Sequence, residues 1–576
     1  MAALLSGIPK AVQLGFGAGR MRLYNPAVRP YVTADNSNSE RAGQRLDSWK
    51  EIAAYLKRDV RTVQRWERYE RLPVHRKLHG KLSSIYAYAS ELDAWWGEGR
   101  SGPPSEPAPD PSPLRPLLAV LPLRNLSGNH EQDYFSEGLT EELISQLSRL
   151  NPQQLGVIAR GSAMRYKDTA KDIHQIAREL GVSYILDGSV RRNDDRVRIA
   201  VQLVGVRDQS HLWAESYDHS LRDILELQSE VARAVTEEIA LTLSAREQER
   251  LRSARPIAPE AYESYLRGRF FWNQRSADGL QRATELFERA ITIDAGYAPA
   301  HAGLADCYAL LSTIAVGALK PALAMPKAEA AANRALELDP RLAEAHASLA
   351  YAQLFFDWDW NRAETSFRRA FEFNPGYATA HHWYAEYLTT LGRTSDSVEE
   401  LKRAQELDPL SLAIPSALAS NFYFERDYDR VIEHSRRTLE ADPNFVLAYL
   451  NLGRAYGQKR MHRQAIAEFK KAHELSPDSV AIKMALGHAY GVAGKKAEAT
   501  AILDRLRRLA KQRYVPAFHF AALYCGLGDV EQSFKWLAKA RDERCDYFVF
   551  LDREPYADPL RKDPRFQALI PRPPGA

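Results

Sequence analysis

The seven residues "RALELDP", at positions 334–340, recur through the second half of the chain with small changes. The later copies read "RAFEFNP", "RAQELDP", "RTLEADP" and "KAHELSP", and the five copies end at Pro340, Pro375, Pro409, Pro443 and Pro477. Successive prolines are separated by 35 residues once and by 34 residues three times. Proline lacks the backbone N–H that a helix interior needs, so each copy marks the end of a helix. The pattern predicts a helical repeat with a period of 34 residues.

The residues within one period are typical of two packed helices. In "AYLNLGRAYGQKRMHRQAIAEFKKAHELSP" (448–477), small and large apolar residues fall at helical spacing in both halves. Gly453 and Ala465 are small enough to let the two helices approach closely, and aromatic side chains such as Phe469 fill the space between repeats. A two-helix period of this length resembles the tetratricopeptide repeat (TPR) family.

We expect an all-α TPR solenoid over residues 260–546, with about seven or eight repeats and an insertion near "VGALKPALAMPK". Residues 547–576 are expected to form a C-terminal cap and tail, because the last repeat must shield its open face. The resemblance implies that the groove of the solenoid binds a protein or peptide, whose identity the repeat pattern does not specify.

The composition fits a multidomain globular protein. The chain has 576 residues, of which 45% are apolar and 26% charged, and this length is too great for a single core. Its three cysteines lie far apart, which argues against a disulfide framework or a structural zinc site and fits a reducing cytoplasm. No apolar stretch has the length that spans a bilayer. We therefore expect a cytoplasmic protein that makes no membrane contact.

A stretch rich in proline, glycine and serine divides the chain. Residues 97–116 read "GEGRSGPPSEPAPDPSPLRP", and this composition predicts an extended linker at 98–116. A small basic unit at 45–97 precedes it. Residues 1–44 are predicted to be a disordered lead, and translation could start at Met1 or at Met21.

The basic unit has the pattern of two helices, a hairpin and a third helix. "DSWKEIAAYLKR" follows a capping residue, either Asp47 or Ser48, and "DVRTVQRWERYE" has apolar residues at helical spacing. "RLPVHRKLHGKLSSIYAYASELDAWW" predicts a β-hairpin that turns near Gly80, followed by a short helix. This order resembles the winged helix-turn-helix domain of the MerR/excisionase type. The resemblance implies that the second helix enters the major groove of DNA and that the hairpin acts as a wing.

The positive charge of the chain is concentrated in this unit. Residues 41–81 contain twelve Lys and Arg against five Asp and Glu, an excess of seven, whereas the whole chain has a net charge of +4. Arginine and glutamine can make paired hydrogen bonds to guanine and adenine, and lysine can neutralise phosphates. A solvated arginine-rich face is the alternative interpretation. The predicted partner is double-stranded DNA, and the predicted DNA-binding residues are Lys57, Arg58, Arg61, Thr62, Gln64, Arg65, Arg68, Arg76, Lys77 and Lys81.

Residues 117–245 predict a small α/β domain with a mixed sheet. Strand and helix patterns alternate twice and three further strands follow, with a hairpin around Asn193–Asp195 and a final helix from about Asp223 to Ala245. A connector is expected at 246–259. The domain is similar to the FlgO/TolB-N-terminal-like region. In the related architectures such a domain stands beside a repeat tail and a head of the CadC type or an adenylate cyclase head.

The sequence contains none of the common catalytic motifs. It lacks GxxxxGK[ST], GxSxG and HExxH. Glu137, Glu141 and Glu142 are expected on a solvated helix face, and His382 and Glu386 are expected to line or pack a repeat helix rather than to bind a metal. We predict no catalytic residue, no cofactor, no metal site and no enzymatic activity.

Together these patterns predict a DNA-binding transcriptional regulator of three domains: a small winged helix-turn-helix, an α/β mixed-sheet domain and a TPR solenoid. The α/β domain and the solenoid are expected to mediate protein interaction or signal sensing. The alternative is a TPR interaction scaffold in signalling, with a head that does not bind DNA.

Overall fold

The computed structural model describes residues 45–58, 60, 63, 66–67, 72–79, 82–97, 115–206, 211–252 and 256–573. The chain divides into two compact units, Met1–Pro111 and Ser112–Ala576. The predicted lead at 1–44 and most of the predicted linker lie outside the described residues.

The first unit contains a small antiparallel sheet and short helices. Its elements are β1 (Arg45–Leu46), α1 (Trp49–Tyr55), β2 (His75–His79), β3 (Leu82–Tyr88) and α2 (Ala89–Gly97). The strand order is β1–β3–β2, and β2 and β3 form a hairpin in which His79 lies opposite Leu82. Between α1 and β2, the described residues Val60, Val63, Trp66 and Glu67 are helical.

Helix α1 begins at a capping box. Of the two candidate caps, Ser48 is the N-cap: its side chain accepts a hydrogen bond from the Glu51 N–H at 3.2 Å. The Glu51 carboxylate in turn accepts from the Asp47 N–H at 2.9 Å, so two otherwise unpaired donors are satisfied. This fixes the start of α1, whose Ile52 and Ala53 are buried.

The core of the first unit joins β1, α1, β3 and α2 to the helical residues between α1 and β2. Trp66 is 5% exposed, and its ring centroid lies 5.6 Å from that of Trp95 on α2. The buried members of this core are Leu46, Ile52, Ala53, Leu56, Val63, Trp66, Leu72, Ala87 and Leu92.

The second unit begins with a mixed sheet in the order β6–β4–β7–β8–β9, with β5 paired to β7. The strands are β4 (Leu117–Val120), β5 (Arg124–Asn125), β6 (Gly156–Val157), β7 (Tyr184–Asn193), β8 (Arg196–Gly205) and β9 (His211–Ser220). The helices are α3 (Asp133–Ser148), α4 (Arg160–Ala163), α5 (Ile173–Leu180), α6 (Ile224–Glu238) and α7 (Ala245–Arg252). Strand β4 is parallel to β6 and β7, and β5 is parallel to β7, whereas β8 is antiparallel to both β7 and β9.

The predicted order of this domain agrees with the structure in its long elements and differs in its short ones. The hairpin is present, with Asn193 opposite Arg196 and a left-handed Asp194 (φ 49°) in the turn. Strand β5 and helix α4 were not predicted. The helix expected to reach Ala245 ends at Glu238, and the left-handed Ala240 (φ 56°) keeps the backbone from continuing it.

Eight helix pairs follow. They are α8 (Pro259–Trp272) with α9 (Ala277–Ile293), α10 (Ala298–Leu311) with α11 (Pro321–Leu338), α12 (Ala343–Ala352) with α13 (Trp360–Phe373), α14 (Ala378–Thr390) with α15 (Thr394–Leu407), α16 (Ala413–Phe424) with α17 (Tyr428–Ala441), α18 (Val446–Gln458) with α19 (His462–Leu475), α20 (Val480–Val492) with α21 (Lys496–Leu509), and α22 (Ala517–Leu527) with α23 (Val530–Asp542). In each pair the first helix packs against its own second helix and, for most repeats, against the first helix of the next repeat. The first helices together form what we call the inner face.

The repeated prolines end the second helices through the residue that precedes them. Proline disfavours helical backbone at the previous position, and Asp339, Asn374 and Asp442 all have extended φ angles near −140° (−137°, −149° and −146°). The side chain of each accepts a hydrogen bond from the N–H two residues on, which stabilises the turn into the next repeat.

Gly453 allows α18 and α19 to approach closely, as the sequence indicated. A Cβ at Gly453 would lie 2.5 Å from Cε1 of Phe469. Phe469 is 1% exposed. The glycine therefore provides the space that the aromatic ring of the second helix occupies.

The residues after α23 do not act only as a cap. Helix α24 (Pro564–Leu569) does pack on the last repeat, where Phe566 shares a core with Phe534 of α23. Residues 546–560, which we call the C-terminal segment, instead return along the inner face. The Phe550 ring lies 6.0 Å from that of Phe355 on the early repeats and stacks 5.2 Å from that of Phe424 on α16.

The aromatic stretch "FFDWDWNRAE" (355–364) packs against this segment as well as between repeats. A π-helical turn at Gln353–Asp357 and a left-handed Trp358 (φ 58°) break the helix pattern there. The Trp358 ring stacks 5.9 Å from the ring of Phe548. The residues near Trp358 in the sequence do not predict a contact with a residue as distant as Phe548.

Candidate functional sites

The structure places only some of the predicted DNA-binding residues. Lys57 and Arg58 are exposed just after α1, and Lys57 is left-handed with φ 53°. Arg76 and Lys77 lie on β2, opposite Ile85 and Ser84 of β3. The remaining predicted residues lie outside the described part of the chain: Arg61, Thr62, Gln64, Arg65, Arg68 and Lys81.

The helical residues between α1 and β2 show which side of that helix faces the core. Val63 is fully buried and Trp66 is 5% exposed. Helical residues three or four positions apart share one face, so these two side chains define the face that packs on the first unit. The predicted apolar positions are therefore in the core.

In the second unit, the prediction of a solvated carboxylate face on α3 is wrong. Glu141 is 9% exposed, and its carboxylate pairs with Arg160 at 3.0 Å and with Arg269 of α8. Glu142 accepts a hydrogen bond from the Tyr265 hydroxyl at 2.6 Å, and burial raises its pKa to about 7. Because α8 covers α3, these acids face the solenoid instead of water, and Glu137 pairs with Arg160 and Lys167.

Further polar contacts join the α/β domain to later repeats. Arg149 pairs with Glu344 at 2.5 Å, and its side chain is only 12% exposed. Ser148 accepts a hydrogen bond from the Asn374 amide at 3.0 Å. The Ala159 N–H donates to the Leu407 carbonyl at 2.7 Å. The α/β domain is therefore held against the first helices and inter-repeat turns of several repeats.

The C-terminal segment is anchored on the inner face by a buried carboxylate. Glu554 is 1% exposed and accepts hydrogen bonds from Arg454 at 2.9 Å, from the Tyr547 hydroxyl at 2.6 Å and from the Tyr423 hydroxyl at 2.9 Å. Arg454 lies 3.9 Å from the centroid of the Tyr423 ring. Neither Glu554 nor Arg454 belongs to a motif that sequence reasoning could have found.

A large cavity lies between these parts of the second unit. Its volume is about 1530 Å³, and it is lined by α3, by the first helices and turns of the solenoid, and by the C-terminal segment. His382 and Glu386 of α14, expected from the sequence to line or pack a repeat helix, both line it. The described residues include no group of three or more acidic, histidine or cysteine side chains arranged to hold a metal ion.

Two parts of the second unit match known protein families. Residues 114–234 match the family described as "HilA/YgeH-like transcriptional regulator, second domain", and residues 458–523 match a tetratricopeptide repeat. The α/β domain is thus a HilA/YgeH-like regulator domain, and the helix pairs form a TPR-like solenoid.

Two curated relatives share parts of the chain. "Putative adenylate cyclase 3" of Rhizobium meliloti is 38% identical over 245 residues, which are 40% of this chain and 41% of that protein. "Transcriptional regulator HilA" of Salmonella typhimurium is 24% identical over 309 residues, which are 53% of both chains. The chain therefore spans about half, or less, of the length of these relatives.

Among solved structures, a monomeric mutant of IFIT1 aligns at 15% identity over 60% of this chain and 88% of that one, with a TM-score of 0.42. A TPR protein of Thermus thermophilus aligns at 20% identity over 34% of this chain and 98% of that one, with a TM-score of 0.29. No helix among the described residues is long and apolar enough to cross a membrane.

Proposed function

We propose that this chain is a DNA-binding transcriptional regulator whose first unit is a winged helix-turn-helix of the MerR/excisionase type. The observation that carries the proposal is the match of residues 114–234 to the second domain of a transcriptional regulator family. The unit that precedes this domain carries the excess positive charge of the chain, which suits contact with the phosphates of DNA.

The described parts of the first unit support this assignment. A capped helix, a second helical stretch with its apolar face in the core, a β2–β3 hairpin and a closing helix occur in that order. Lys57 and Arg58 extend into solvent, and Arg76 and Lys77 lie on the hairpin strand that would act as the wing. The side chains that contact bases are proposed to lie among Arg61, Thr62, Gln64, Arg65 and Arg68.

The domain boundaries are part of the same proposal. The head comprises residues 45–97, the linker 98–116, the α/β domain 117–245, the connector 246–259, the solenoid 260–546 and the cap and tail 547–576. The solenoid and the α/β domain are proposed to receive a protein partner or a signal.

Binding of the full chain to genomic DNA fragments, followed by gel shift at two salt concentrations, tests the proposal. Contacts to phosphates make binding weaken steeply as salt rises. Arg61→Glu and Arg65→Glu should each weaken specific binding more than Lys81→Glu, because a base contact contributes roughly 1–3 kcal/mol of discrimination and a phosphate contact contributes none. Equal loss in all three variants would contradict the assigned roles, and no binding at low salt would refute DNA recognition.

The similarity to a protein named as a putative adenylate cyclase raises the question of whether the shared part is catalytic. The aligned part is 41% of that protein, and this chain lacks the motifs GxxxxGK[ST], GxSxG and HExxH. We propose that the shared part is non-catalytic. What the relative's name says of its activity stays with that protein.

A further inference from the structure

We propose that strand β9 (His211–Ser220) is the interface of a homodimer, in which it pairs antiparallel with β9 of a second copy of this chain. Such a dimer goes beyond the function proposed above and does not depend on DNA binding by the first unit. Three features support it: the place of β9 at the edge of the sheet, the direction of its backbone hydrogen bonds, and the charges along it.

Strand β9 is a long edge strand with one side unpaired. It pairs with β8 along one side, and no strand among the described residues pairs with the other side. Its length is ten residues, whereas a strand in a globular protein usually has about five or six. Six of the ten residues are exposed, and Leu212 is 36% exposed. An exposed edge of this length presents a row of backbone donors and acceptors that a further strand can use.

The register with β8 shows which backbone groups point to the free edge. The Leu221 N–H donates to the Asp195 carbonyl at 2.5 Å, and residues that bond to the neighbouring strand alternate along an antiparallel pair. Tyr217, opposite Ile199 in the same register, therefore directs its backbone groups toward β8. The residues that direct theirs to the free edge are Ala214, Ser216, Asp218 and Ser220. The backbone groups of Ala214 and Ser216 have no partner in the described part of the chain, and the Asp218 carbonyl accepts only a long bond from Arg196, at 3.4 Å.

The opposite edge of the sheet is protected in ways that β9 is not. Strand β6 (Gly156–Val157) has two residues, and just after it the Ala159 N–H donates to the Leu407 carbonyl of the solenoid at 2.7 Å. Proteins guard an edge with a short strand, a proline, a lysine, a bulge or a cover. Strand β9 contains no proline and no lysine, and the irregularity in its pairing lies at its first residues. The regular part of β9 is therefore open to strand pairing.

A two-fold axis lets this edge complement itself. Tyr217 is the centre of the outward row from Ala214 to Ser220, so an axis through Tyr217 places Ala214 opposite Ser220 of the second copy. The same axis places Ser216 opposite Asp218 of the second copy, and each outward residue meets an outward residue. Identical strands related in this way form the same contacts twice, as a two-fold dimer requires.

The charges of β9 suit this register. Glu215 lies opposite His219 of the second copy, at the spacing at which cross-strand side chains interact. The His219 Nε2 is 3.0 Å from Glu230 of its own chain, which leaves Nδ1 for the second copy's carboxylate. The other acid, Asp218, is paired with Arg196 at 2.6 Å and lies opposite a serine. No acid of one strand therefore faces an acid of the other.

An aromatic pair lies on the axis itself. The Tyr217 ring is 6.3 Å from that of Trp213 in the same strand, and its hydroxyl donates to Glu215 at 2.9 Å. The two copies of Tyr217 would form a pair without direct backbone bonds, in which the Cα atoms are about 4.5 Å apart. Aromatic cross-strand pairs stabilise antiparallel sheets, so the centre of the interface is favourable.

Sedimentation velocity of the full chain tests the dimer. A single strand pair is a small interface, so the mass should rise from one chain to two between about 1 and 200 µM. Ser216→Pro removes an N–H that β8 does not use, and proline is tolerated at such an edge position; it should raise the dimer Kd at least about tenfold. Ser216→Ala keeps the N–H and should dimerise like the wild type. A wild type that stays monomeric throughout, or equal association of the two variants, overturns the proposal.

Cysteine cross-linking tests the register without altering the backbone. Tyr217→Cys places the two sulfurs on the axis, at a Cα separation of about 4.5 Å that suits a disulfide, and mild oxidation should give a covalent dimer. In Ala214→Cys the two cysteines would be six residues out of register, about 20 Å apart, and should not cross-link. The wild type, whose Cys307 and Cys545 are buried, controls for the native thiols. Equal cross-linking of the two variants, or none in Tyr217→Cys, contradicts the pairing, and circular dichroism with the Tm shows that each variant is folded.

Discussion

The buried carboxylate of Glu554 is expected to hold the C-terminal segment on the inner face. Glu554→Gln keeps the shape of the side chain but leaves Arg454, whose side chain is 11% exposed, without a negative partner. Breaking one partner of a buried ion pair costs about 3–5 kcal/mol. Since each 1.4 kcal/mol corresponds to a factor of ten, the segment should open roughly a hundredfold to several thousandfold more often.

Amide hydrogen exchange followed by mass spectrometry measures this opening directly. The reporting amides are those of the segment itself, such as Leu551, which donates to Phe548, and Ala557, which donates to Glu554. A local measurement is preferable to a global melt, because a chain of several domains does not unfold in one step.

The matched control lies in the same segment. Asp558 pairs with Arg426 at 2.6 Å, but the two side chains are 38% and 44% exposed, and an exposed pair contributes only about 0–1 kcal/mol. Asp558→Asn should therefore change exchange less than about tenfold. A double variant, Glu554→Gln with Arg454→Met, removes the unpaired cation and should restore part of the protection, because the amide oxygen can still accept a hydrogen bond from a tyrosine hydroxyl. If Glu554→Gln and Asp558→Asn behave alike, burial of the ion pair is not what holds the segment.

The solenoid and its cavity support three further predictions. Gly453→Ala should destabilise the protein by roughly 1–2 kcal/mol in chemical denaturation, because the new Cβ would lie 2.5 Å from Phe469. A Cβ at Gly457 in the same helix would have its nearest neighbour at 4.0 Å, so Gly457→Ala should be neutral or stabilising by up to about 1 kcal/mol. Equal effects of the two substitutions on stability would contradict the packing of Phe469 against Gly453. Burial raises the pKa of Glu386 in the folded state to about 8, above its ordinary value of 4.5. The folded protein therefore keeps a proton that the unfolded chain releases, so the wild type should lose stability relative to Glu386→Gln as the pH rises from about 4.5 to 8, with no further loss at higher pH. His382, Asp546 and Tyr351 face this carboxyl, and an opposite slope of stability with pH would show that a cation compensates the charge of Glu386. The purified full chain incubated with ATP and divalent cations should form no cyclic AMP, and its formation in amounts that rise with protein concentration would establish the catalysis that we do not expect.

The repeat could be read from the sequence because its information is local. The prolines at 34-residue spacing end each second helix through the extended residue before them, as at Asp339. Gly453 and Phe469 lie within one period, so their packing also follows from the pattern. The βα alternation of residues 117–245 predicted the long strands and helices for the same reason, whereas the two-residue strand β5 carries too few residues to show a period.

The contacts that build the candidate sites could not be read in this way. Arg269 meets Glu141 across 128 residues, and Arg454 meets Glu554 across 100. An acidic residue on an amphipathic helix has the same pattern whether water or an arginine faces it, which is why Glu141 and Glu142 were assigned to a solvated face.

The sequence by itself determined the helical period, the small α/β domain and the concentration of positive charge before the proline-rich stretch, since each depends on residues close together in the chain. Only the tertiary structure decided that the C-terminal segment returns along the inner face and that Arg275, His382, Glu386 and Asp546 line one cavity. The reason is physical: periodicity sets which face of a helix is apolar, but which charge meets which depends on how repeats far apart in sequence are brought together by packing.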